Sequence, residues 1–127
     1  MAFQSGQLTI TSDPRSPDPR RDRIYVHYKK RMTRIMTSEI RYVEANRAYC
    51  HLVTTDGREF TLSLSLGALE RQLPQGNIIR IHRSYLANVL HIDGIGDKAL
   101  RTGKKTLPLS RNCREELFRR IRVIGKG

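Results

Sequence analysis

From Ile24 to Leu64 the apolar residues recur mainly at every second position, the spacing of half-buried β-strands. Ile24–Tyr28 is rich in β-branched and aromatic residues and predicts a strand. Lys29-Lys30-Arg31 follows as a polar turn, and Met32–Met36 returns as the second arm of a hairpin. Ile40–Glu44 predicts a third strand, with Ile40, Tyr42 and Glu44 on one face and Arg41 and Val43 on the other. A fourth runs from Ala48 to Thr54, Asp56-Gly57 is a strong hairpin-turn dipeptide, and Glu59–Leu64 returns.

The period then changes. Leu66, Leu69 and Leu73 lie at i, i+3 and i+7, which predicts a short amphipathic helix capped by Ser65 and ended by Pro74 and Gly76. Strand-like segments resume at Ile78–His82, Tyr85–Asn88, His91–Ile95 and Ala99–Arg101. Gly103-Lys104-Lys105 turns the chain into Thr106–Leu109. Ser110 has the place of an N-cap for a last helix running to about Val123, with Cys113, Leu117 and Ile121 inward and Gly125 near the C-cap. The pattern describes a mainly β domain with one short internal helix and a C-terminal helix. No period repeats along the chain, which argues against a solenoid.

The first 22 residues break this picture. They hold three of the five prolines together with Ser, Asp and Arg, and show almost no apolar periodicity. Such a stretch buries too little surface to offset its ordering entropy, so residues 1–22 are expected to be a flexible arm and residues 23–125 the folded domain. The whole chain of 127 residues has room for one ordinary domain. No apolar run is long enough for a membrane-spanning helix, and no secretory signal opens the chain. Cys50 and Cys113 show no C-x-x-C spacing and suit a reduced cytoplasm.

Charge changes the picture most. The chain carries +12, and residues 1–22 balance three arginines against three aspartates, so the entire excess lies on the folded part. A domain this basic repels itself unless its partner is a polyanion. Nucleic acid is the leading candidate and an anionic membrane surface the second.

Catalytic chemistry is hard to find. His27, His51, His82 and His91 show no zinc-ligand spacing, and Cys50-His51 point to opposite faces of a strand. The carboxylates fall mostly at strand ends and turns, and the chain contains neither a phosphate-binding loop nor a nucleophile elbow. An enzyme is therefore not expected, nor a cofactor or metal. Three basic and polar clusters at element junctions remain: Asn46-Arg47-Ala48-Tyr49-Cys50, His82-Arg83-Ser84, and Ser110-Arg111-Asn112. Arg111 is informative because a cation in the first turn of a helix opposes the helix dipole, so the fold gains nothing from it. Free N–H groups at the same place favour a phosphate, and a guanidinium can address a guanine edge with two hydrogen bonds.

At these residues the chain resembles a known family. Ile40–Tyr49 followed by Asp56-Gly57, then Ser65–Leu73, Ile81–Asn88, His91-Ile92 and the closing Leu107-Pro108-Leu109-Ser110-Arg111 are similar, in order, to the LytTR domain. That domain is the DNA-binding module of LytR/AlgR-type response regulators of two-component systems, and the resemblance covers about residues 23–123. It implies elongated antiparallel β-sheets whose projecting loops enter successive major grooves of double-stranded DNA and the minor groove between them. Carried over by position, one loop supplies Arg47, Tyr49 and Cys50, a second His82, Arg83 and Ser84, and a third Arg111 and Asn112. Cys50 is a poor hydrogen-bonding residue, so base reading there passes to Arg47 or His51. Lys104 and Lys105, with Lys29 and Lys30, are assigned to phosphates, and Asn88 to pairing backbone groups in a turn.

The resemblance further implies a transcription regulator that binds paired direct repeats at promoters, with a second copy on the operator. The chain has no room for the receiver domain that family members usually carry. A stand-alone form is therefore expected, controlled by a sensor or membrane-bound inhibitor protein or by its own concentration. The alternative is an RNA or single-strand binding module of OB type. Such surfaces need stacking aromatics, and this chain is 6% aromatic with no Trp.

Overall fold

A computed structural model of the chain describes residues 18–125. The expected flexibility of the N-terminal arm concerns residues that lie, up to residue 17, outside that range. The end of the arm forms a turn at Asp18–Asp22, and its carbonyls accept hydrogen bonds from Thr37, Arg21 O at 3.2 Å and Asp22 O at 2.9 Å.

The described residues form three antiparallel sheets and two helices. Strands β1 (Arg23–Tyr28) and β2 (Arg31–Met36) make a two-stranded hairpin. Its turn residues Lys29 and Lys30 both have positive φ, 49° and 65°, the hairpin geometry usually taken by Asn-Gly. A single 3-10 turn, Thr37–Glu39, leads into β3 (Ile40–Asn46), β4 (Tyr49–Thr54) and β5 (Glu59–Leu62). Helix α1 (Leu66–Gln72) follows, then β6 (Ile78–His82) and β7 (Tyr85–Asn88), which complete a five-stranded sheet of order β5-β4-β3-β7-β6. The short β8 (Gly94–Ile95), β9 (Ala99–Thr102) and β10 (Lys105–Pro108) form the third sheet, and α2 (Arg111–Arg119) ends the fold.

The central sheet is covered on both faces. On one face Val43, Leu52 and Leu86 pack with Ile35 of the hairpin and with Leu66 and Leu69 of α1. On the other, Tyr42, Ile79, Ile81 and Ala87 pack with Leu100 and Leu107 of the third sheet and Leu117 of α2. Each fully buried Leu or Ile contributes about 1.5–3 kcal/mol. The period-two pattern follows directly: Cys50, Leu52 and Thr54 of β4 are buried and alternate with the half-buried His51 and Val53.

Four sequence expectations change in detail. A bulge between Ile40 and Tyr42 shifts the register against β4, so Ile40 joins Val43 in the first core while Tyr42 lies in the second. An irregularity of one residue flips the faces beyond it, which strict alternation cannot foresee. The segment 91–95 is not a full strand. The buried Asn88 side chain accepts from Leu90 N at 2.9 Å and starts a 3-10 turn at Val89–His91, leaving only Gly94–Ile95 paired with β9. The strand expected over Glu59–Leu64 ends at Leu62. Helix α2 stops at Arg119, where Arg120 N turns back to Leu117 O. Ile121 still packs on the second core, so the apolar period outlasts the helix, and Gly125 (φ 94°) lies beyond its end rather than capping it.

Asn88 has a structural role. Its Nδ2 donates to Ile40 O at 2.8 Å and Thr37 O at 3.2 Å, tying the 3-10 turn before β3 to the end of β7.

Candidate nucleic-acid interface

Sheet register decides where the three polar clusters go. Strands β3 and β7 are antiparallel neighbours with Glu44 opposite Tyr85, so the β3–β4 turn and the β6–β7 turn lie at the same end of the sheet. Ala45 N donates to Ser84 O at 2.8 Å, joining the two. Ser110 N donates to Ile81 O at 2.9 Å, which sets the start of α2 against β6 one residue before His82. Arg47, Arg83 and Arg111 are thus brought to one end of the molecule, all exposed. Among the described residues, none of the three has a carboxylate within ion-pair distance.

Each tip has its own local cause. Arg47 sits in the β3–β4 turn with φ 59°, a left-handed conformation that costs a side-chain-bearing residue energy and that Gly or Asn would take more readily. Tyr49 begins β4 half exposed, opposite Asn46. In the β6–β7 turn, His82 Nδ1 accepts from Ser84 N at 3.1 Å, so the neutral ring carries its proton on Nε2 and can donate from there. The His82 ring lies 6.0 Å from that of Tyr85, whose hydroxyl donates to Glu44 at 3.0 Å. Burial, with the Glu44 bond behind it, pushes the Tyr85 hydroxyl above its ordinary pKa and keeps it a donor.

At the third tip, Ser110 caps α2 by accepting from Cys113 N at 3.3 Å, and no acid occupies the first turn. The helix is strapped at two further points. Arg114 Nη1 donates to the carbonyls of Gly96 and Asp97 in the β8–β9 turn, and Arg120 Nη1 to Gly76 O before β6. These bonds and the buried Leu117 fix where Arg111 and the exposed Asn112 stand.

Other candidate residues fall elsewhere. Cys50 is fully buried, its thiol donates to Leu64 O at 3.1 Å, and burial pushes its pKa up. Its place as a DNA contact is corrected accordingly: β4 alternation turns it into the first core. His51, on the opposite face of that strand, has Nε2 2.7 Å from Glu59 Oε1 and Nδ1 3.3 Å from Thr61 Oγ1, so it is engaged within the sheet. Lys104 belongs to the β9–β10 turn. That turn lies against Arg41 at the start of β3, away from Arg47: Thr102 Oγ1 accepts from Arg41 Nη1 at 3.0 Å, and the same guanidinium passes close against Gly103 (φ 65°). Lys105 Nζ lies 6.0 Å from the Tyr42 ring centroid, on the sheet face rather than at the tips. Lys29 and Lys30 cap the β1–β2 hairpin, where Tyr28 meets Phe60 edge-on at 5.0 Å.

Sequence reasoning passed over Arg80. It reads as an ordinary outward residue of β6, yet its guanidinium holds Glu70 of α1 and donates to His82 O at 2.9 Å and Arg83 O at 3.0 Å.

Residues 30–122 match the family described as the LytTr DNA-binding domain. The chain belongs to that family. The fold agrees: a LytTr DNA-binding domain from Bacillus cereus superposes with a TM-score of 0.64 at 22% identity, over 78% of this chain and 95% of that one. The sensory transduction protein LytT of Bacillus anthracis is 35% identical over 66 residues, covering 46% of this chain and 26% of its own length. The chain therefore spans about a quarter of that relative. LytTr domains are a DNA-binding family rather than a catalytic one, and the mainly β architecture expected from the residue pattern is the LytTr architecture. Among the described residues, no helix is long and apolar enough to cross a membrane.

Proposed function

We propose that this LytTr domain regulates transcription by binding double-stranded DNA in a sequence-specific way, with Arg47, His82-Arg83 and Arg111 as the groove-facing contacts. One observation supports this most: three exposed arginines, with no carboxylate partner among the described residues, are gathered at one end of a rigid sheet. Exposed cations gathered at one end of a +12 protein match the repeating negative charge of a duplex. Arg111 carries base recognition, since a guanidinium pairs with the O6 and N7 of guanine in the major groove. His82 donates from Nε2, and Asn112, Tyr49 and Ser84 add shorter-range contacts. Cys50 has no part in it, and His51 contributes only by leaving Glu59.

Two copies bind direct repeats at a promoter, and a sensor or membrane-bound inhibitor sets the activity. The domain works on cytoplasmic DNA, residues 1–22 being an arm and 23–125 the functional domain. The test is a selection of duplexes from a random library, followed by titration of Arg111→Ala against the selected sequence. The substitution is expected to cost about 1–3 kcal/mol and to relax preference at one base position. Unchanged affinity and preference would remove Arg111 from the interface. Single-stranded competitor of the same sequence is expected to displace the duplex poorly; equal competition would favour a single-strand binder.

A further inference from the structure

The β6–β7 turn is held more firmly than two residues require. Ile81 O accepts from Ser110 N, His82 O from Arg80 Nε, Arg83 O from Arg80 Nη2 and Ser84 O from Ala45 N, at 2.9, 2.9, 3.0 and 2.8 Å. Four successive carbonyls thus take donors from outside the turn. A bulge between Arg80 and His82 interrupts the β6–β7 register and lets the guanidinium reach forward along its own strand. Its remaining arm is tied to Glu70 on α1, and the Arg80 side chain is about a third exposed. A planar fork with fixed donor directions suits this task; an ammonium on a flexible stem does not.

We infer that Arg80, anchored by Glu70, is a positioning residue for base selectivity: it sets the shape of the β6–β7 turn and so the place from which His82 and Arg83 meet the duplex. The inference rests on the DNA reading proposed above. Three of the five guanidinium N–H groups are committed within the protein, so Arg80 acts through the turn rather than as a phosphate contact. Glu70 contributes although it is acidic. Removing it makes the protein more basic, which by simple charge would strengthen binding to DNA, whereas loss of the anchor weakens discrimination.

The test uses the full chain, the selected duplex and its single-base variants. Three substitutions are compared: Arg80→Lys, which keeps the charge but not the fork, Arg80→Met, and Glu70→Ala, which leaves β6 untouched. Amide hydrogen exchange at Ser84 reports the turn in the free protein, and binding at several salt concentrations separates selectivity from charge. All three are expected to speed exchange at Ser84 and to cut discrimination at the bases under this turn about tenfold, with the salt slope unchanged. Should Arg80→Met fail to fold, Arg80→Lys and Glu70→Ala carry the comparison. A salt slope lower by about 0.9 in Arg80→Met, with discrimination intact, would make Arg80 a phosphate contact and overturn the inference. Wild-type exchange or selectivity in Arg80→Lys and Glu70→Ala would overturn it as well. If the unsubstituted chain selects no duplex sequence, the DNA reading falls and the inference falls with it, an outcome distinct from failure of the variants alone.

Discussion

The two ends of the central sheet are built from the same kinds of residue and, Arg80 with its Glu70 partner apart, treat their charges in opposite ways. At the β4–β5 end, Arg58 lies 3.1 Å from Asp56 and 3.4 Å from Glu39, and the Asp56 carboxyl also accepts from Thr54. Nearby, Arg23 pairs with Asp22 at 2.8 Å. At the β3–β4 and β6–β7 end, Arg47, Arg83 and Arg111 stand exposed without such partners among the described residues. Arginine content alone does not separate the two ends. Pairing does: a cation that spends its hydrogen bonds inside the fold serves architecture, and one held out without a partner is open to an external anion.

The largest effect is expected where α2 is held against the core. Leu117→Ala removes the buried anchor of α2, and with it the fixed position of Arg111; a loss of about 2–5 kcal/mol is expected in denaturant unfolding. DNA affinity should fall along with stability. If it held while stability dropped, the α2 start would not be part of the interface.

A more selective test sets Arg83→Ala against Arg58→Ala. The first should weaken duplex binding and relax preference at the bases under its turn, with little change in melting temperature. The second should leave binding alone and lower the melting temperature slightly, because it breaks exposed ion pairs and uncovers the Phe60 ring 5.6 Å from the guanidinium. Equal effects on binding would erase the distinction between the ends.

Arg47→Gly sharpens it further, since two readouts should move in opposite directions. Relief of the left-handed backbone is expected to stabilise the fold by about 1 kcal/mol, while loss of the cation weakens binding. A residue kept only for structure would not show that split.

The smallest effect concerns acid. The Asp56 carboxyl is held below its ordinary pKa by the Thr54 hydroxyl first and the Arg58 guanidinium second. A depressed carboxylate contributes its stability above the unfolded-state pKa and loses it as pH falls through the folded value. Amide shifts of Thr54 and Gly57 followed down an acid titration should therefore change below the usual carboxylate range. A midpoint at or above that range would contradict the Asp56–Thr54 contact.

Much of this was legible from residues alone, because strands with one buried face show it in their alternation. The β1–β2 hairpin, the β3–β4–β5 meander, the Ser65 and Ser110 caps and the Asp56-Gly57 turn all follow from local rules. What escaped is what depends on distant partners. The Ile40–Tyr42 bulge is a matter of register against β4, and the end of α2 coincides with the contact between Arg120 and Gly76 O, 44 residues away in the chain. The Lys29-Lys30 turn carries no glycine to announce its positive φ values. At the candidate interface, the three clusters were visible as polar interruptions, but their convergence needed β3 beside β7. Family position placed Cys50 in a contacting loop, where strand alternation alone would have turned it inward. Arg80 left no signal, since nothing in Ile-Ile-Arg-Ile-His distinguishes a clamp from a solvated side chain.

Because β3 and β7 lie side by side, the spacing between the Arg47 and Arg83 turns is inherited from the sheet and cannot be tuned by loop length; adjacent strands are about 4.8 Å apart wherever they occur. A scaffold of this kind is re-aimed by exchanging the letters at its corners while the ruler between them stays fixed. Engineered versions with new targets should therefore tolerate side-chain swaps at the turns and fail when residues are inserted into them.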